Sequence, residues 1–454
     1  MSETNKLRYS DILFSREMVT SLRARILAIA IFMYYFIENG TLGLVPEKFY
    51  YVYRSVRISD LILYGLIFYS LYNVREYMDY FKSRPMLIVK LILAYLLIEF
   101  SISAVRYGFN PTEYFFRLKG VWTSFLVLPY LLLIKRNGLA FLIKLIFPVA
   151  VISNFLYLLT ALTGVAFLPD VSIYKQRLPG DIEVYRVYGG TFFGEIFFLG
   201  FVYYWITKRF VIWQLFFSIL FIIPHILAFG RLAWIGFVYT ILMMIALNSL
   251  KKSEFKVLVR QTVLLIIVAL SLIIAFIKFI PESEYYIDAL YARIFQAQDE
   301  VRYSEGTYGV RVILQNAALV ELWLKSNILI GVGMHPMWVV GPQTKEEVLY
   351  YSAFSDVGWA GVLAAYGLIG FVLAAILQIY FMYLSLRLIK NSRHGNLYDL
   401  LLTLLFAKLT FDTFVVYSYV LLTTNLWGFY SVLHYYIPVL IHVYNQQKSQ
   451  GLLK

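Results

Sequence analysis

The chain has 454 residues, of which 61% are hydrophobic and 15% charged, and its formal net charge is +13 at pH 7. Soluble domains carry about 25% charged residues, whereas this chain repeats apolar runs of roughly 17–25 residues, the length that crosses a bilayer, from Leu22 almost to the C-terminus. The runs do not alternate with period two, which excludes an outer-membrane barrel, and the absence of cysteine excludes disulfides and thiol catalysis. We therefore predict an all-α polytopic membrane protein.

The apolar runs predict about twelve transmembrane helices. In chain order they lie near 22–37, 58–73, 86–105, 121–134, 139–163, 188–206, 210–228, 231–249, 257–280, 357–386, 397–416 and 420–443. Basic residues precede the first run, but no small-residue cleavage site follows it, so we expect this helix to be retained rather than removed as a signal peptide.

Basic residues cluster in alternate short connections, for example Lys135 with Arg136 and Lys251 with Lys252. The positive-inside rule places such connections in the cytoplasm, which predicts that both termini are cytoplasmic. The net positive charge then reports topology and does not indicate nucleic-acid binding.

One predicted outer connection, 281–356, is far longer than the others. It divides the chain into helices one to nine (1–280), an extracytoplasmic loop domain (281–356) and helices ten to twelve with a cytoplasmic C-terminus (357–454). Two stretches in the loop, "YYIDALYARIFQAQ" and "VRVILQNAALVELWLKSNIL", have the apolar spacing of amphipathic helices. A loop of this length with its own structure is usually functional, and we expect it to cover the outer face of the bundle. A smaller outer loop spans 164–187.

Ionisable residues fall inside several predicted helices, where each costs about 2.5–3.5 kcal/mol on insertion scales. The candidates are Glu99, Glu195, Arg231, Lys278, Lys408 and Asp412. All six lie in the outer half of their helices, which predicts a polar site that opens outward.

Each of these residues also has a structural interpretation. Lys408 and Asp412 are spaced i, i+4, which favours a structural ion pair, and Glu99 and Lys278 suit an interfacial position. For Glu195 a role in a site and a structural role are equally favoured. Arg231, in "HILAFGRLAWIGFV", follows the predicted turn at Gly230; it either points into an outward-facing cavity or anchors the hairpin at the interface.

Arginines in the predicted outer loops point to an anionic ligand. Arg186, Arg293, Arg311 and Arg117 join Arg231 at this level of the membrane, and guanidinium groups bind phosphate oxygens bidentately. A lipid-linked diphosphate fits this placement; the alternative is binding of lipid headgroups. No Asp-x-Asp pair occurs in an outer loop and the histidines show no ligand spacing, so we expect no metal and no cofactor.

Four stretches resemble the O-antigen ligase and O-antigen polymerase superfamily of bacterial surface polysaccharide assembly. "RVYGGTFFGE" resembles its Arg-led entry into a helix, "LAFGRLAWIGFV" its arginine hairpin, "GVRVILQNAALVELWLKSNILIGVG" its loop helix ending in Gly-x-Gly, and "FSDVGWAGVLAAYGLIGF" the segment leading into helix ten. The layout of about twelve helices with one large outer loop is similar as well.

The resemblance implies a metal-independent, C-type glycosyltransferase in the bacterial inner membrane, acting at its outer face. Arg186 and Arg231 match the arginines at the lipid-diphosphate site, and Arg311 matches the arginine that opens the loop helix. The ligase branch has a histidine where this chain has Ser355 and Asp356, which favours a repeat-unit polymerase. The implied partners are an undecaprenyl-diphosphate-linked oligosaccharide, membrane lipids and a chain-length regulator protein, and no nucleic acid.

The expected reaction is attack by an acceptor sugar hydroxyl on the anomeric carbon of the lipid-linked glycan, with inversion. Asp356 is the first candidate for the general base, followed by Glu195 and His335. Two alternatives remain: a ligase that transfers the glycan to a lipid or protein, and a flippase or exporter that is not an enzyme.

Overall fold

The computed structural model describes the following parts of the chain: 21–38, 47–53, 56–108, 122–167, 172–178, 182–188, 193–208, 211–227, 231–250, 255–279, 284–285, 287–289, 291–292, 295–296, 302, 306–324, 328–333, 358–392, 396–414 and 436–453. These parts are predominantly helical, as the composition predicts.

Fourteen α-helices are present in the described parts of the chain. They are α1 (Leu22–Glu38), α2 (Ile58–Tyr72), α3 (Met78–Phe81), α4 (Arg84–Arg106), α5 (Val127–Lys135), α6 (Leu139–Thr163), α7 (Gly194–Thr207), α8 (Ile212–Leu227), α9 (Arg231–Ser249), α10 (Phe255–Phe279), α11 (Gly306–Asn316), α12 (Trp359–Lys390), α13 (Leu397–Phe414) and α14 (Ile437–Ser449). Three of the described helices, α4, α6 and α12, are long and apolar enough to cross a membrane, and seven shorter apolar helices accompany them. The chain thus has the helical segments of a membrane protein, while the count of twelve spans stays a prediction.

Two short antiparallel hairpins interrupt the helices. Strands β1 (Tyr51–Tyr53) and β2 (Val56–Arg57) form the first, and β3 (Ser172–Leu178) and β4 (Ile182–Tyr188) form the second. The second hairpin occupies the predicted outer loop 164–187 and continues to Tyr188, so α7 begins at Gly194 rather than near 188. The β-branched and aromatic residues of "DIEVYRVY" favour a strand, which explains why α7 begins later than predicted.

Helix α12, predicted as one continuous span, is broken at Gly367. This glycine has φ +61° and ψ −167°, a conformation that a side chain would strain. Backbone from 328–333 crosses the break: Val332 donates to the carbonyl of Ala364 at 2.9 Å and Leu368 donates to that of Ile328 at 2.9 Å. Part of the predicted outer loop therefore packs into the helix break, where it satisfies the backbone groups that the break releases.

The approach of these two segments depends on glycine at both crossing points. A Cβ on Gly367 would lie 2.4 Å from the backbone carbon and oxygen of Leu329, and one on Gly331 would lie 2.4 Å from the carbonyl oxygen of Ala364. The "GVG" sequence, where the resemblance ends the loop helix, thus takes part in a close backbone crossing. The loop helix α11 precedes it and continues as a π-helical turn, Ala317–Trp323, that packs on α12.

At the C-terminal end of α5, a guanidinium–carboxylate pair joins two connections predicted to be cytoplasmic. Arg136 donates to Glu76 through Nε at 2.9 Å and Nη2 at 2.7 Å. This bidentate hydrogen bond holds the pKa of the Glu76 carboxyl below its usual value. A second pair, Lys135 with Asp79 at 2.7 Å, lies beside it.

Helix α7 is central to the packing around the candidate site. It contacts α6, α8, α9 and α10, and nearly all its side chains after the first turn are buried. Helix α13 packs against both α9 and α12 and is almost as fully buried. The packing brings the first turn of α7 and the last two turns of α13 to the same end of the bundle.

Candidate functional site

A cavity of about 300 Å³ opens between α7, α9 and α13. Its lining residues are Glu195, Leu199, Gly236, Phe237, Thr240, Leu404, Lys408, Phe411, Asp412 and Tyr436. Three of the six ionisable residues predicted inside helices, Glu195, Lys408 and Asp412, thus share one cavity, although they come from two helices far apart in the sequence.

The two carboxylates of the cavity differ in their surroundings. Asp412 is 7% exposed, and its Oδ2 lies 3.2 Å from Nζ of Lys408, one turn earlier on α13. Glu195 is exposed to the cavity and has no ion-pair partner among the described residues. It lies in the first turn of α7, where the positive end of the helix dipole stabilises a carboxylate. The cavity therefore holds one paired carboxylate and one that has no ion-pair partner within the described parts of the chain.

His225 lies behind the cavity wall on α8. Its ring packs edge-on against Phe237 with the centroids 4.9 Å apart, and its Nε2 is buried with no hydrogen-bond partner among the described residues. The carboxylate of Glu195 is close enough to interact electrostatically with His225, Asp412 and Tyr436. Glu195 thus belongs to a group of titratable side chains at this end of the bundle.

The position of Glu195 is set by tight packing of the preceding residue. Gly194 lies directly on Asn154 of α6: a Cβ at this position would be 2.8 Å from Oδ1 of Asn154 and 3.0 Å from Nδ2. Asn154 is fully buried and donates from Nδ2 to the carbonyl of Ala150 at 2.7 Å. Phe193 enters the helix with φ +52°, in the left-handed region. The start of α7 is therefore fixed against α6.

The two arginines assigned to the diphosphate belong to elements that adjoin this end of the bundle. Arg231 is the first residue of α9, five residues before Gly236, which corresponds to about 7.5 Å along a helix. Arg186 is paired with Tyr174 in the β3–β4 hairpin, and β4 contacts α8. The backbone positions of both arginines are described; their side chains are outside the described atoms.

The remaining candidates are distributed differently. Arg311 is exposed on α11 and does not line the cavity. Asp356, His335, Arg293 and Arg117 lie outside the described residues, so their assignments stay predictions.

Glu99 is buried within the protein, outside the cavity. It is 1% exposed, and its Oε1 is 2.9 Å from the hydroxyl of Tyr95. The nearby α4 residue Arg106 donates to the carbonyls of Gly331 and Val332, each at 3.0 Å. These residues hold the loop backbone at the break in α12, so we assign Glu99 to this junction and not to the cavity.

Several cavity residues were not assigned to this site from the sequence. Lys408 and Asp412 were favoured as a structural pair, and the spacing alone gave no reason to associate them with Glu195. Nothing in the sequence around Thr240 and Tyr436 distinguishes them from other residues of apolar segments. Among these three, only Gly236, an isolated glycine within an apolar helix, indicated a place where another element approaches closely or a cavity opens.

Within the described residues there is no group of three or more metal-ligating side chains. Metal independence stays a prediction, since four of the candidate residues lie outside those parts of the chain. Compared with known proteins, the chain matches no family model and no curated protein.

Proposed function

We propose that this protein is a membrane glycosyltransferase that polymerises glycan repeat units from a lipid diphosphate donor. The observation that carries the proposal is the meeting of Glu195 with Lys408 and Asp412 in one cavity, at the end of the bundle where α9 begins with Arg231. Membrane-level ionisable residues are costly, and their convergence on a cavity favours a functional site over isolated structural roles.

The charges support different roles for the cavity and the arginines: the arginines bind the diphosphate, and the cavity faces the sugar. A diphosphate is disfavoured next to the carboxylate of Glu195, whereas guanidinium groups bind it well. In the proposal, Arg186 and Arg231 hold the diphosphate at the rim while the sugar at the reacting carbon faces the cavity. Their positive charge stabilises the negative charge that develops on the leaving group.

In the proposed step, an acceptor hydroxyl oxygen attacks the anomeric carbon as the bond to the diphosphate oxygen breaks. The hydroxyl proton passes to a carboxylate, for which Glu195 is the best-placed of the described candidates, and the lipid diphosphate leaves with the bonding electron pair. A single displacement inverts the anomeric centre. General-base assistance of this kind contributes about 10²–10⁴ in rate.

The test is incubation of the purified full-length protein with an undecaprenyl-diphosphate-linked oligosaccharide, with and without EDTA. A ladder of lengths supports a polymerase, one product on a lipid or protein acceptor indicates a ligase, and absence of any new glycosidic bond contradicts both. EDTA should leave the ladder unchanged, and loss that Mg²⁺ or Mn²⁺ restores would overturn metal independence.

Glu195→Gln tests the assignment of the base. It should lower the transfer rate by about 10²-fold or more, at the lower end expected for loss of a general base. Glu99→Gln is the matched control, because it neutralises a buried glutamate outside the cavity while keeping a hydrogen-bonding side chain, and it should retain activity. Equal rates in both variants would remove Glu195 from the mechanism.

A further inference from the structure

The cavity carries an excess of negative charge among its described residues. It contains two carboxylates, Glu195 and Asp412, and one ammonium group, Lys408. Because Lys408 is paired with Asp412 at 3.2 Å, the charge of Glu195 remains without a described counterion. Judged by its described residues, the interior of this cavity therefore disfavours an anionic ligand relative to an uncharged one.

The lining is suited to a ligand that has both hydroxyl groups and apolar faces. Thr240 and Tyr436 add hydroxyl groups to the charged pair, while Phe237 and Phe411 contribute aromatic rings. Carboxylates accept hydrogen bonds from hydroxyl groups, and an ammonium group donates hydrogen bonds to hydroxyl oxygens. A sugar ring presents both kinds of surface. The volume of about 300 Å³ is at the lower end of small-ligand sites, which fits one terminal sugar and not a whole oligosaccharide.

The Lys408–Asp412 pair faces this opening and is not sealed within the helix packing. The side chain of Lys408 is 40% exposed, although neighbouring α13 residues such as Leu405 and Leu409 are fully buried. The two residues lie one turn apart on α13, where an i, i+4 pair of this kind contributes only about 0.2–0.5 kcal/mol to its own helix. The pair therefore lines the cavity and is accessible from it.

We propose that this cavity is the acceptor subsite, that it takes an uncharged terminal sugar, and that the Lys408–Asp412 pair binds the hydroxyl groups of that sugar. The proposal rests on the function proposed above and deepens it by naming the class of acceptor. It also replaces the structural interpretation of the pair that the i, i+4 spacing favoured.

The first measurement is binding of free sugars to the purified full-length protein in lipid nanodiscs, followed by saturation-transfer NMR. Cellotriose and chitotriose, which are uncharged, should give a saturable signal, and trigalacturonic acid should bind about tenfold more weakly or not at all. Equal binding of the neutral and acidic trisaccharides would overturn the charge argument, as would absence of saturable binding by either neutral sugar.

The second measurement exchanges the pair, with Lys408→Asp combined with Asp412→Lys. The exchange keeps an ion pair, and in helices the acidic residue is better placed on the N-terminal side, so a purely structural pair should tolerate it. We expect instead that neutral-sugar binding falls about tenfold or more, as expected for lost hydrogen bonds to charged groups, while thermal stability is retained. The matched control exchanges Lys135 and Asp79, a pair outside the cavity, and should leave binding unchanged.

The outcomes separate the two proposals. If the exchanged protein binds neutral sugar as the wild type does, the acceptor inference is wrong, and the transfer assay still decides the glycosyltransferase function on its own. If neutral sugar binds and binding depends on the pair, but no glycosidic bond forms from lipid-linked donor, the sugar site stands and the proposed transfer reaction is wrong.

Discussion

Replacing Gly194 with alanine tests whether the exact position of Glu195 controls activity. The added Cβ would lie 2.8 Å from Oδ1 of Asn154, whereas ordinary contacts begin at 3.4 Å, so the two groups must separate by about 0.6 Å. Asn154 is fully buried and bonded to Ala150, so we expect the start of α7 to move. Such overpacking costs about 1–3 kcal/mol of stability.

The effect on the rate follows from the same displacement. A 1 Å misplacement near a reacting centre costs about 10²-fold, so a shift of about 0.6 Å should lower the turnover of Gly194→Ala roughly tenfold. The assay is single-turnover glycan transfer by purified variants, with thermal unfolding measured in parallel. Gly65→Ala is the matched control, because a Cβ there meets nothing within 4 Å, and it should leave both quantities unchanged.

A second substitution identifies the cause. Adding Asn154→Ala to Gly194→Ala removes the atoms that the new Cβ would touch, so turnover should recover to near that of Asn154→Ala alone. Wild-type turnover in Gly194→Ala would refute the claim that the placement of Glu195 matters. A loss that Asn154→Ala does not relieve would show that the contact with α6 is not its cause.

Three further predictions follow from the same structure. Arg231→Ala should lower transfer by about 10²–10³, as for loss of a preorganised charge contact, while Arg231→Lys restores part of it because only the bidentate geometry is lost; near-normal activity of the alanine variant would make the residue an interfacial anchor. Gly367→Ala should destabilise the protein by about 2–5 kcal/mol in thermal unfolding, from the left-handed φ and the 2.4 Å approach to Leu329, and an unchanged midpoint would contradict the backbone crossing. Because pairing with Arg136 lowers the pKa of Glu76 in the folded protein, the pair stabilises the fold fully above the unfolded glutamate pKa of about 4.3, and this stabilisation is lost as the pH falls through the lower folded pKa. Arg136→Gln should therefore reduce the unfolding midpoint at pH 7 and match the wild type in acid. An equal difference between variant and wild type at both pH values would exclude this pair as the source.

The break in α12 shows why the loop domain was only partly predictable. The amphipathic spacing of "VRVILQNAALVELWLKSNIL" correctly indicated a helix, observed as α11 and the following π-helical turn. The pattern gave no sign that 328–333 enters the bundle, because the hydrogen bonds that hold it there are made by backbone groups. Glycine at 331 and 367 permits the crossing. Which two segments pair there, however, is decided only in the folded chain.

The sequence by itself determined the class of the protein and the segments that carry its membrane-level charges. Insertion of a helix depends on the length and hydropathy of that segment alone, so apolar runs and their few ionisable residues can be identified without knowledge of the neighbours. The tertiary structure decided which of those residues meet. Glu195 and Asp412 line one cavity although more than 200 residues separate them, whereas Glu99, in an equivalent position by sequence, lies at the junction with the loop. Helix periodicity fixes the face on which a side chain lies, but the packing of α7, α9 and α13 determines what that face contacts.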